Sequence, residues 1–398
     1  MRILHLIDSY GLYGAEKVAL DLVRHQTQQG WSSQLGSIRR PSETERPFER
    51  AARDQGVEIV RFPMARGANL FGGMRVMNFA REHHVDLIHS HSYKGNIVVG
   101  LLPRNLRAAP LLMTLHGWRP PRTTVARCIQ RLETTAIYRA DHVVAVHQTL
   151  VTDPRLTALP RSRLNVIRNG IPASPAEPVD RKVAQRINSI ITGKFAVAAV
   201  GRLSAEKGFD LLLKSVANLR DRDVDCKLVI FGDGEERSDL EKRTTDLQLQ
   251  SHVHFFGYVV GASNYLNSFD CLAIPSRAEG CPLVALEGMR AGVPVVASKA
   301  GGLPGILKNG RCGRLVAIGD SDGLADALFD VHENFESTKS HVLTATRNVS
   351  SSYQAQEMSR SYAELYMQIS ASNESTSSAR QTFGRSQNAT SQIIPQDS

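Results

Sequence analysis

Short apolar runs, many of them β-branched, alternate along most of the chain with longer stretches whose apolar positions recur at helical period. This is the pattern of parallel sheets crossed by helices. The runs predict strands at Ile3 to Asp8, Val85 to His89, Leu111 to Leu115, His142 to Val146 and Leu164 to Ile167. A second series follows at Phe195 to Val200, Lys227 to Phe231, Val253 to Phe255, Cys271 to Ile274 and Val293 to Ala297. Between the two series, Pro172 to Pro178 holds three prolines and no periodicity, which reads as a linker. The expected architecture is therefore α/β: a Rossmann-like domain over 1–171, a linker over 172–180 and a second Rossmann-like domain over 181–370, facing each other across a cleft. The last amphipathic stretch, Tyr353 to Ile369, is a candidate to pack back on the first domain. Residues 371–398 are rich in Ser, Asn and Gln and read as a disordered tail.

Composition narrows the setting. A chain of 398 residues is long for one core, so two domains agree with its size. No apolar run approaches the roughly 18 residues needed to span a bilayer. The amino terminus enters a strand directly, without a small-residue cleavage site, which favours a cytoplasmic protein. Five cysteines, odd in number and without a Cys-x-x-Cys pair, suggest neither a disulfide framework nor a zinc site. The net charge of +9 is uneven: residues 1–175 hold 24 Lys+Arg against 13 Asp+Glu, or +11, leaving −2 for the rest. Arg119, Arg122, Arg127, Arg131 and Arg139 cluster in one stretch, readable as a solvated face or as the footprint of an anionic membrane surface or lipid-linked phosphate. Nucleic acid is disfavoured, because no aromatic-interleaved basic platform accompanies the charge.

Ligands of parallel sheets gather at the carboxyl ends of the strands, and several polar clusters fall there. Gly11 to Lys17 carries Gly11 and Gly14 after the first strand, which suits a tight turn or a close ligand approach. Gly201 to Gly208 offers Arg202 as a planar fork of donors and Lys207 as a point charge, fit to clasp a diphosphate, or else a surface loop with helix-end charges. Gly232-Asp233-Gly234 is a further strand-to-helix turn, either lining a nucleotide pocket or purely structural. In Pro275 to Met289, Pro282 suits the first helical position, so Glu279 falls just before a helix and Glu287 about a turn and a half inside it. A carboxylate is a good acceptor for paired hydroxyls, so one could grip a sugar and the other a ribose. The plainer alternative is a cap at Glu279 and a solvated Glu287.

Taken in order, these segments resemble glycosyltransferase family four, the large retaining GT-B family, over residues 1 to about 370. Its elements run from Gly14-Ala15-Glu16 through His116-Gly117, Val166 to Ile171, Gly201-Arg202, Glu206-Lys207-Gly208 and Gly232-Asp233-Gly234. They continue with Glu279 and Glu287, Ala291 to Val296, and Gly301-Gly302. The resemblance implies that the first domain holds the acceptor and the second the donor, a nucleoside diphosphate sugar as co-substrate, with no other cofactor and no metal. Arg202 and Lys207 would bind its phosphates, Glu279 its sugar with Gly280, Cys281 and Pro282, and Glu287 its ribose. Gly232 would line the nucleotide pocket, Gly14 would offer backbone N–H to the distal phosphate, and His116 would sit near the sugar's exocyclic group. Cys281 stands where the family often has an aromatic residue, and Gly288 where alanine is common. The implied activity is transfer of a hexosyl group to a lipid-linked or polysaccharide precursor in cell-envelope synthesis. A silent sugar-nucleotide-binding protein and a sugar phosphate synthase of the same fold are the alternatives.

Two patterns are set aside at this level. His89-Ser90-His91 suggests a metal pair but lacks a carboxylate partner and reads as a strand-end loop. Asp221-Arg222-Asp223 resembles a metal-binding Asp-x-Asp but precedes a strand, at the end of a sheet where ligands do not gather.

Overall fold

The computed structural model describes residues 1–389 except Tyr10, Arg66, Ala68, Arg119, Pro120, Arg122 and 175–178. Thirteen strands are described: β1 Arg2–Ile7, β2 Ser32–Arg39, β3 Ile59–Pro63, β4 Leu87–Ser90, β5 Leu111–Leu115, β6 His142–Ala145, β7 Leu164–Val166, β8 Phe195–Val200, β9 Cys226–Phe231, β10 Val253–Gly257, β11 Cys271–Ile274, β12 Val295–Ser298 and β13 Arg314–Val316. The first seven form one sheet in the order β3-β2-β1-β4-β5-β6-β7, the last six another in the order β10-β9-β8-β11-β12-β13. Pairing is parallel, as in Ile3↔Leu87 and Val197↔Leu228. Each sheet reverses its strand order once, between β1 and β4 in the first and between β8 and β11 in the second. Those reversals open the crevices in which doubly wound sheets hold ligands.

Three strands were not anticipated. β2 reads Ser-Ser-Gln-Leu-Gly-Ser-Ile-Arg, and it is a strand because β1 and β3 pair with it on both sides. β3 and β13 are short and carry an arginine, so neither shows a continuous apolar run.

By compactness the chain forms one unit of Met1–Thr114, Arg131–Val143 and Ser359–Ser398, and another of Leu115–Gln130 and Val144–Met358. Segments 115–130 and 144–171 are tied to the second sheet's loops: Gly117 lies against Gly280, and Asn169 Nδ2 donates to the Cys281 carbonyl at 3.2 Å. A helix runs over Ala355–Ala389; residues 390–398 lie outside the described residues.

In the first unit the helix Gly14–Gln28 buries Val18, Leu22 and Val23 on the sheet, and its carboxylate at Glu16 accepts from the Tyr13 N–H at 2.8 Å. A buried polar core accompanies it. His5 Nδ1 meets His91 Nε2 at 3.0 Å and His5 Nε2 meets Gln26 Oε1 at 2.9 Å, while His89 is engaged at 2.7 Å by both Tyr366 Oη and Thr114 Oγ1. His89-Ser90-His91 is thus no strand-end loop: His89 and Ser90 lie within β4, and all three are buried. The ring nitrogens of His5, His89 and His91 approach within 4.8 Å, close enough to share an ion, yet those of His5 and His89 are committed to this hydrogen-bond chain.

Burial drives the His5 pKa down to about 4. An imidazole with a lowered folded pKa is neutral in the fold and takes up its proton on unfolding, so its stabilisation is complete above about pH 6.5 and is lost as pH falls toward 4. Urea unfolding at pH 5 is expected to be about 2 kcal/mol easier than at pH 7.5 from His5 alone. A flat stability profile across that window would show that the ring is charged in the native state.

In the second unit Val197, Ala199, Leu228 and Ile230 meet Leu212, Leu213 and Val216 of the helix Phe209–Asp221 in one buried cluster. Among the described residues no helix is long and apolar enough to cross a membrane.

Candidate active site

The candidate donor residues collect at the second sheet's reversal. Gly201 to Gly208 follows β8 and Pro275 to Glu279 follows β11, so the topology places them side by side. Arg277 binds the two loops together. Its N–H donates to the Glu206 carbonyl at 2.7 Å, one guanidinium nitrogen donates to the Ala205 carbonyl at 2.9 Å, and the fork grips both Asp210 oxygens at 2.7 Å. Burial opposes ionisation of Asp210, but Arg277 outweighs it and holds the carboxyl below its ordinary value. Gly208 is the hinge of this packing: its φ is +68°, and an added Cβ would lie 2.1 Å from the Pro275 carbonyl oxygen.

Lys207 Nζ stands 2.6 Å from Glu279 Oε1, which also accepts from Ser276 Oγ at 2.6 Å. Ser276 is held in turn by Ser298 Oγ, which donates to its carbonyl. Glu279 Oε2 makes no hydrogen bond with the described residues, so one oxygen is anchored and the other is available to a ligand. Arg202 lies beside its own loop's Glu206 at 2.6 Å. Burial disfavours the Glu206 charge, and its backbone, Arg202 and Ser204 more than compensate, keeping the carboxyl below its ordinary value.

The wall beyond Glu279 is built of main chain. An added Cβ would lie 1.7 Å from the His116 carbonyl oxygen at Gly280 and 1.9 Å from the Glu279 carbonyl oxygen at Gly301. Gly302 N–H donates to the Gly280 carbonyl at 2.8 Å. At Gly232 an added Cβ would lie 1.8 Å from the Gly201 carbonyl oxygen, which presses the third strand-end turn against the first. His116 keeps some accessible surface, yet burial of its imidazole lowers its pKa to about 4, so it is neutral near pH 7. Burial pushes the Cys281 thiol up to about 12, and what Cys281 offers its neighbours is its carbonyl.

The helix after Glu279 is Leu283–Arg290. Pro282 is its N-cap and not its first residue, because its ψ of 114° is extended. Glu287 sits in the fifth helical position, on the buried side, 9% exposed. Gly14 is the first residue of its helix in the other unit. The residues brought together are thus Arg202, Lys207, Gly232, Glu279, Gly280, Cys281, Pro282 and His116, with Glu287 on the helix that follows them. Sequence reasoning missed Ser276, Ser298 and the Arg277–Asp210 clamp as site-building residues. It also missed His147, whose Nδ1 accepts from the Leu150 N–H at 3.2 Å and whose ring backs Gly302. Only Ser276, three residues before Glu279, left a local signal.

The glycosyl transferases group 1 family matches residues 180–344, and Glycosyltransferase Family 4 matches residues 13–174. N-acetyl-alpha-D-glucosaminyl L-malate synthase of Bacillus anthracis is 21% identical over 297 residues, covering 74% of this chain and 78% of its own. An Escherichia coli UDP-Gal:alpha-D-GlcNAc-diphosphoundecaprenol alpha-1,3-galactosyltransferase is 26% identical over 274 residues, 64% of this chain and 68% of its own. The crystal structure of Anabaena HepE in complex with UDP-glucose superposes with a TM-score of 0.79 at 23% identity, covering 92% of this chain and all of that one. With two parallel-sheet Rossmann-like domains and a family match to each half, the chain belongs to the GT-B glycosyltransferases of family four and group 1.

Proposed function

We propose that this enzyme moves a sugar from a nucleoside diphosphate sugar to a hydroxyl of a saccharide or lipid-linked acceptor, with retention at the anomeric carbon and without a metal. The observation that carries the reading is the Lys207–Glu279 pair, which joins a phosphate-binding loop to a sugar-binding loop across the β8/β11 crevice. HepE binding UDP-glucose and the galactosyltransferase using UDP-Gal support the donor class.

When the glycosidic bond breaks, negative charge builds on the departing diphosphate. Arg202 and Lys207 are placed to neutralise it, since both are fixed by carboxylates before any reaction and need no reorganisation. Glu279 orients the sugar through Oε2, and buried Glu287 accepts the ribose diol. The two carboxylates therefore have separable tasks. Glu279→Gln is expected chiefly to lower turnover, about tenfold to a hundredfold, because it removes a contact that orients the reacting centre. Glu287→Gln is expected to weaken affinity for the free nucleoside diphosphate by about tenfold to a hundredfold. Calorimetry with UDP, GDP and ADP, and steady-state kinetics with their sugars, measure both. Unchanged diphosphate affinity in folded Glu287→Gln together with full turnover in Glu279→Gln would falsify the assignment. A silent binding protein is distinguished by slow hydrolysis of the donor in the absence of acceptor, which only an enzyme performs.

A further inference from the structure

Two sets of contacts hold Glu279. Its side chain is fixed by Lys207 and Ser276, whereas its main chain is fixed by the turn at Gly301 and Gly302. Gly301 presses on the Glu279 carbonyl oxygen, and the Gly302 N–H donates to the carbonyl of the next residue, Gly280, at 2.8 Å. Whatever fixes that turn therefore also fixes where Glu279 stands.

The turn is met by the loop that follows β6, which belongs to the same compact unit. His147 caps the short helix Gln148–Val151, with the Leu150 N–H donating to its Nδ1 at 3.2 Å. A ring nitrogen that accepts from a backbone N–H carries no proton, so the neutral imidazole bears its hydrogen on Nε2. Thr149 Oγ1 lies between that same Nδ1, at 2.6 Å, and the Gly301 carbonyl oxygen, at 3.3 Å, with one proton to give to either acceptor. The hydroxyl is thus a bridge from the histidine to the turn. His147 also meets the turn directly: a Cβ added at Gly302 would lie 3.2 Å from His147 Cβ and 3.4 Å from its Cγ. Gly301 is touched through its carbonyl and Gly302 through its Cα, so the loop braces both residues of the turn.

We propose that His147 and Thr149 are positioning residues of the transfer reaction, fixing the Gly301–Gly302 turn and through it the main chain of Glu279. The inference rests on the reading of Glu279 as the carboxylate that orients the transferred sugar. Because the nucleotide end of the donor is assigned to other residues, loosening the turn should slow the reaction and leave diphosphate binding alone.

The test compares Thr149→Val, Thr149→Ser, His147→Ala and His147→Asn with wild type. Hydrolysis of UDP-glucose, UDP-N-acetylglucosamine, GDP-mannose and ADP-glucose, which needs no acceptor, gives kcat; calorimetry with the free diphosphates gives affinity, and melting curves show that each variant is folded. Thr149→Val and His147→Ala are each expected to lower kcat about tenfold, less than the loss a full 1 Å displacement brings, with diphosphate affinity unchanged. Thr149 is exposed and its valine variant keeps the cap, so it should melt with wild type. Thr149→Ser restores the hydroxyl, and His147→Asn keeps Cβ, Cγ and an acceptor at the δ position, so both should recover most of the rate. Wild-type kcat in Thr149→Val and His147→Ala, at whatever melting temperature, overturns the proposal and leaves the pair a helix cap. A rate loss matched by an equal loss of diphosphate affinity, or one that Ser and Asn do not relieve, overturns it too. A wild type that hydrolyses none of the four donors defeats the transferase reading itself, whatever the variants do.

Discussion

Arg202→Ala and Lys207→Ala are each expected to reduce kcat by about a hundredfold to a thousandfold, the usual effect of removing one preorganised donor from a site of developing charge. The two losses should not add. Lys207 shares Glu279 Oε1 with Ser276, and Arg202 lies on the same loop, so either change loosens a common assembly. Lys207→Arg is expected to recover only part of the rate, because a planar fork does not reproduce a point charge at the Glu279 oxygen. Activity in excess chelator should match activity without it, since neutralisation is assigned to side chains. Loss of activity in chelator with recovery on adding magnesium or manganese would transfer that role to an ion, and near-normal kcat in both alanine variants would remove it from these residues. Stopped assays for released nucleoside diphosphate measure both.

Gly301→Ala is expected to be nearly as damaging, by a different route. Its φ of +53° lies in the left-handed region, and its Cβ would fall 1.9 Å from the Glu279 carbonyl oxygen, which cannot swing aside as a flexible side chain would. The left-handed conformation costs about 1–2 kcal/mol for a residue with a Cβ, and overpacking adds about 1–3 kcal/mol. The main chain of Glu279 must therefore shift, and a displacement near 1 Å commonly costs about a hundredfold in rate. Gly305→Ala is the control, because nothing lies within 4 Å of its Cβ position. Denaturant unfolding and kcat of the two variants, measured together, separate the contact from a general intolerance of alanine. Wild-type stability and turnover in Gly301→Ala would mean that this turn is looser than described.

The second sheet was largely legible because its central strands are buried on both faces and so read as unbroken apolar runs, as in Phe195–Val200 and Cys271–Ile274. β2 was not legible, since Ser32–Arg39 becomes a strand only through neighbours on either side that come from distant parts of the chain. The same division holds at the site. Arg202, Lys207, Glu279 and Glu287 stand out through their order and spacing, whereas Arg277 and Asp210 are 67 residues apart and meet only because β8 and β11 are adjacent.

The glycine wall around Glu279 bears on how such an enzyme diversifies. Gly280 and Gly301 press directly against carbonyl oxygens, so almost any mutation there collides with the backbone before it meets a ligand. New specificity for the transferred sugar therefore has few routes through these positions by single steps. Variation has to enter at neighbours that carry side chains, such as Cys281 and His147, or through changes that move a whole turn at once. A lineage built on this wall would be expected to change acceptors more readily than donors.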